Sequence, residues 1–138
     1  MSESPAPQSG LPVGDLAIVW AQTRIGSSNW AGHCYAFVRG AFIRGAGLGD
    51  TMLPLAPDAR SAAGWYRVHG QLRSGGTPPR GALVFYDNRT PRGHVAISLG
   101  GGAVIHAYPA VQVSSNYLKL PGRLAVTVVG YVTAQLEP

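Results

Sequence analysis

The hydrophobic pattern of the chain changes period once, near Ala82. Upstream of that point apolar residues recur at i, i+3, i+4 and i+7, the spacing that gathers them on one face of a helix. From Ala82 onward they form short β-branched or aromatic runs separated by turn residues, with no helix-length stretch between them. Helices followed by strands place the chain in the α+β class, with N-terminal helices packed on a C-terminal antiparallel β-sheet of about five strands. With 138 residues, 46% of them hydrophobic, the chain matches one ordinary domain. We expect residues 1–13 to form a flexible leader and residues 14–138 a single domain.

The helical part divides in three. Asp15 can cap a first helix over Asp15 to Arg24, with Leu16, Val19, Trp20 and Thr23 as its apolar stripe. A second helix starts near Cys34, gathers Cys34, Phe37, Val38, Ala41 and Phe42 on one face, and ends at Gly45-Ala46-Gly47. Asp58 can cap a third through Arg67, after which Gly75-Gly76-Thr77-Pro78-Pro79 breaks the chain. The strands are expected at Ala82–Tyr86, His94–Leu99, Ala103–Ala107, Val111–Val113 and Leu124–Thr133, joined as an antiparallel meander.

Cys34 is the single cysteine, so it is either a small core hydrophobe or a nucleophile whose partner comes from elsewhere in the fold. At a helix start, unpaired backbone N–H groups would stabilise its thiolate, and its own N–H could serve an oxyanion. Strand alternation puts His94, Ala96 and Ser98 on one face and, on the next strand, Val104 and His106 on one face. The two strands meet through Gly100-Gly101-Gly102. A turn centred on Gly100 would set His94 opposite His106, Val95 opposite Ile105 and Ile97 opposite Ala103, whereas a two-residue turn would throw the histidines to opposite faces. We therefore expect an odd-length glycine loop with a bulge, and the Cys34 helix packed over the small residues Ala96 and Ser98. The roles that follow are Cys34 as nucleophile, His94 as its base and then as acid to the leaving amine, and His106 orienting His94, with Asn88 or Asp87 as the alternative orienting group.

Gly32-His33-Cys34-Tyr35-Ala36-Phe37-Val38 resembles the Gly-x-Cys-x-x-aromatic-Val/Ala helix start of the CHAP amidases. Pro79-Arg80-Gly81-Ala82-Leu83-Val84-Phe85-Tyr86 and Gly93-His94-Val95-Ala96-Ile97 are similar to their Gly-Asp-Leu-Val-Phe and Gly-His-Val-Ala/Gly-Ile segments. Val104-Ile105-His106-Ala107 is closer to the related NlpC peptidases, whose third catalytic position is often a histidine. The resemblance runs from about Asp15 to Val132 and implies a papain-like cysteine peptidase or amidase acting on peptidoglycan peptides, with Cys34, His94 and His106 catalytic and no cofactor. His33-Cys34-Tyr35-Ala36 stands where NlpC peptidases carry Asp-Cys-Ser-Gly, which makes His33 and Tyr35 candidate substrate-binding residues. Gln22 stands where a tyrosine often serves the oxyanion, and its amide could donate there instead. Trp30 is the best aromatic candidate for a substrate wall. Ala82 replaces the aspartate of Gly-Asp-Leu-Val-Phe.

A non-catalytic wall-binding or interaction module, or a thiol acyltransferase or deamidase on another substrate, would use the same fold. A zinc site built from Cys34, His94 and His106 lacks any CxxC, HExxH or carboxylate cluster. The net charge of +5 comes from ten arginines and one lysine without a dense run, which favours encounter with anionic polymers but matches no nucleic-acid motif. No run approaches the roughly 18 apolar residues of a membrane span, and Met1–Gly14 lacks the pattern of a signal peptide. We expect a monomer acting in the periplasm or cell wall after release or non-classical export. An inhibitor or immunity protein would be its partner if it is an effector.

Overall fold

The computed structural model describes residues 12–49, 53–120 and 127–133. The expected leader, residues 1–13, lies outside the described residues apart from Pro12 and Val13, as do positions 124–126 of the expected last strand. Among the described residues there are three α-helices: α1 (Val13–Gln22), α2 (Cys34–Gly40) and α3 (Ala59–Val68). A π-helical turn, Ala41–Gly45, extends α2. Five strands follow: β1 (Leu83–Asp87), β2 (His94–Gly100), β3 (Ala103–Ala107), β4 (Val111–Ser114) and β5 (Thr127–Val132).

The first helix departs from expectation at its start and on its buried face. Pro12 precedes it in place of a side-chain cap, because Asp15 lies in the first turn and its carboxylate pairs with Arg80 instead. The buried stripe is Ala17, Ile18 and Ala21, while Val19 is 51% exposed and Thr23 lies outside the core. Small alanines let α1 approach its neighbours closely, and the larger Trp20 is left to pack sideways against Trp30 and Phe37. On α2 and its extension the expected stripe holds, with Cys34, Phe37, Val38, Ala41 and Phe42 all buried. Asp58 caps α3 as expected, accepting the Ser61 N–H at 2.8 Å.

The sheet runs in the order β4-β3-β2-β1-β5 and every pairing is antiparallel. Strands β1 to β4 form a meander. The last strand does not extend it: β5 returns to pair with the free edge of β1.

The turn between β2 and β3 also differs from the expected one. Gly100 pairs with Ala103, so the connection is the two-residue turn Gly101-Gly102, both with the positive φ that a type I′ turn requires. Taken alone, that turn would separate the histidines. A bulge between Ser98 and Gly100 inserts one extra residue and restores the parity. The resulting partners are Ile97 with Ile105 and Ser98 with Val104, two residues away from the expected register. His106 therefore sits diagonal to His94 on the same face instead of directly opposite it.

The helices pack on the other face. Phe37 and Val38 of α2 share a core with Leu83, Phe85, Val95, Ile97 and Ile105, and α2 does not cover Ala96 and Ser98. Ala96 belongs to a second, smaller cluster with Val84, Tyr86, Val104 and Leu120. The reason is volume: Val95, Ile97 and Ile105 offer the helices more apolar surface than Ala96 and Ser98 do. No helix among the described residues is long and apolar enough to cross a membrane.

Candidate active site

Cys34 is the first residue of α2 and His94 the first residue of β2, and both line one cavity of about 380 Å³. They meet at the end of the sheet, because the helix bearing the thiol and the histidine pair belong to opposite faces. Gly93, immediately before His94, is required there. Its φ is +67°, and a Cβ would stand 3.2 Å from the Arg60 backbone nitrogen and 3.3 Å from the Tyr86 carbonyl.

The two histidines are joined. His94 Nε2 lies 3.0 Å from His106 Nδ1, with the rings edge to face at 88°. This leaves Nδ1 as the remaining ring nitrogen of His94. His106 is fully buried behind His94, and its own Nε2 has no hydrogen-bond partner. The alternative orienting groups are occupied elsewhere. Asp87 accepts from Arg60 and from the Arg89 N–H, and Asn88 Oδ1 accepts from Thr90.

Burial governs the protonation states. It holds His94 down at about 3, with the neighbouring His106 as the second cause, and holds His106 down at about 4. The same burial pushes the Cys34 thiol above its ordinary value. The N–H groups of Val95, Tyr35 and Cys34 itself pull it down without compensating, and Asp58 raises it further. The expected stabilisation of the thiolate by the helix start is thereby outweighed, and burial favours the neutral thiol as it favours the neutral imidazole. Cys34 is only 8% exposed, and α2 contributes seven residues, too little helix for its dipole to offset the lost hydration.

The remaining candidates separate. His33 lines the cavity at its exposed rim. Tyr35 also lines it but is 2% exposed, and its hydroxyl donates to the Pro54 carbonyl at 2.6 Å, tying down the segment that forms one wall. Gln22 and Trp30 are not among the residues lining this cavity. Gln22 is exposed at the end of α1, and Trp30 packs against Trp20 and Phe37, facing a neighbouring groove. The aromatic wall is Tyr108, 38% exposed, with its ring centroid 6.3 Å from that of His94. The sequence signal for Tyr108 is its position two residues beyond His106. Asp58, Asn88, Thr90 and Arg92 supply the polar lining. Among the described residues no group of three His, Cys, Asp or Glu side chains is placed to hold a metal ion.

Helices on one face of a five-stranded antiparallel sheet, with a helix-start cysteine and a strand-start histidine on one cavity, give the papain-like architecture of the NlpC/CHAP superfamily. The NlpC/P60 family profile matches residues 23–128, most of the 138-residue chain, and the chain belongs to the NlpC/P60 family. It is thereby a member of a family of cysteine peptidases and amidases of the cell-wall type. Comparison with curated proteins finds none that matches.

Proposed function

We propose that residues 14–138 form a single cysteine hydrolase domain that cuts amide bonds in peptidoglycan stem or cross-link peptides, as a lysin or an antibacterial effector. The observation that carries this reading is the shared cavity of Cys34 and His94, with His94 held from behind by His106. Family membership supports the reaction class and a peptidoglycan peptide as substrate.

In this mechanism His94 Nδ1 takes the thiol proton as Sγ attacks the scissile carbonyl carbon, so the neutral pair becomes charged only as the bond forms. The carbonyl oxygen, now an oxyanion, accepts from the backbone N–H of Cys34. Collapse of the tetrahedral intermediate expels the amine, protonated by His94, and leaves a thioester on Cys34. Water then attacks that thioester with His94 again taking a proton, and the acid and the free thiol are released.

Nδ1 can act as the base only if the ring proton sits on Nε2, from which it is donated to His106 Nδ1. His106 then carries its own proton on the buried, unpaired Nε2, at a cost of about 1–3 kcal/mol.

Digestion of purified peptidoglycan by the protein and by Cys34→Ala, followed by mass spectrometry of the new termini, tests the proposal. Cys34-dependent amine and carboxyl ends are expected. Undiminished pelleting with wall material and no such product would mean a binding module. Products on isopeptides or glutaminyl proteins alone would mean an acyltransferase or deamidase.

A further inference from the structure

Arg92 is the one arginine that lines the Cys34 cavity, and both its backbone and its side chain are fixed. Its carbonyl accepts from the Arg60 N–H at 2.8 Å, and its Nη1 donates to the Gly32 carbonyl at 2.9 Å. Gly32 stands two residues before Cys34 and Arg92 two residues before His94, so this bond clasps together the segments that carry the thiol and the imidazole. A guanidinium has five N–H donors, and the Gly32 carbonyl takes one of them.

No carboxylate neutralises it. Among the described residues Arg92 forms no ion pair. Asp87, the acid of the same connection, pairs with Arg60, and Asp58, the acid of the cavity, caps α3. His33, the exposed residue at the rim of the same cavity, brings no carboxylate to it. An anchored cation with unused planar donors at the mouth of a cavity matches a carboxylate in geometry and in charge.

We propose that Arg92 is a specificity-determining residue that binds a carboxylate of the substrate and seats it beside the thiol. The substrate class is thereby narrowed to peptides that carry a free carboxylate near the cleaved bond. The biological sense of this site rests on the hydrolase reading above, but anion binding at the cavity can be measured without turnover.

The test compares alkylation of Cys34 by iodoacetate and by iodoacetamide, which react with the same thiolate and differ in charge. Their rate ratio therefore cancels any effect of a variant on the thiol itself. Arg92→Gln is expected to lower the iodoacetate to iodoacetamide ratio by about fivefold or more, the effect of one charge at close range in a partly wet site. Arg92→Lys, which keeps the charge and loses the clasp, should stay within about twofold of the unmodified protein. Arg67→Gln, on the exposed side of α3 and away from the cavity, serves as the control for net charge. A ratio unchanged in Arg92→Gln overturns the proposal, as does an equal fall in Arg67→Gln or in Arg92→Lys. If the ratio falls as expected while peptidoglycan yields no Cys34-dependent product, the anion site stands and the hydrolase reading fails. The converse pair of results removes the anion site alone.

Discussion

His106 Nδ1 lies 3.0 Å from His94 Nε2 across a strand pair whose bulge, and not its turn, puts the two rings on one face. In the proposed mechanism His106 therefore acts only through His94, as a positioning residue. Replacing it with alanine should lower kcat on a peptidoglycan-derived peptide on the order of 100-fold while KM stays within about twofold. His106→Gln, which keeps a hydrogen-bonding group at that place, should recover part of the loss. Steady-state kinetics check this, and a kcat unmoved in His106→Ala would remove His106 from the mechanism.

The buried histidines make the fold acid-sensitive in a defined window. Both have folded-state values depressed to about 3 and about 4, below the ordinary imidazole value near 6.5. The unfolded chain therefore takes up protons that the folded chain refuses. The stabilisation is present above about pH 6.5 and is lost as pH falls, at up to ~1.4 kcal/mol per pH unit for each histidine until the folded values are reached. Urea unfolding between about pH 6.5 and 5, above the carboxylate range, should show this slope, and His106→Gln should reduce it to roughly half. A stability that stays flat across that window would contradict the buried neutral pair.

Because burial raises the Cys34 thiol, the rate of alkylation by iodoacetamide should keep climbing beyond pH 9. Hydrolysis should show no fall near pH 6.5, since His94 stays neutral down to about 3. An alkylation rate that levels off by pH 7 would instead mean a preformed thiolate with a protonated histidine.

Much of this was legible in the sequence, and the losses have physical causes. The change of period at Ala82 marks the boundary between helices and strands, and the stripe from Cys34 to Phe42 is the buried face of α2 and its extension. Strand parity alone puts His94 and His106 on the shared face they occupy, although the device that produces it is a two-residue turn plus a bulge. Bulges leave no composition signal beyond a run of glycines, so the register slips by two residues without changing face. The return of β5 to the edge of β1 is a tertiary choice that strand periodicity does not encode. Gln22 and Trp30 lie near the thiol in sequence or by analogy, and packing directs Trp30 to its aromatic neighbours and leaves Gln22 in solvent. Tyr108 and Arg92 enter the cavity because each stands two residues from a candidate catalytic histidine. That relation becomes informative only once the strand ends are known to form the site.

In the proposed mechanism Cys34 attacks the substrate with His94 as its base. Acid quenching during turnover of a peptidoglycan-derived peptide, followed by peptide mapping, reads this directly. A thioester adduct of the acyl half of the substrate is expected on Cys34, with no adduct and no product in Cys34→Ala, and neither above background in His94→Ala. Product formation that persists in Cys34→Ala would contradict that mechanism.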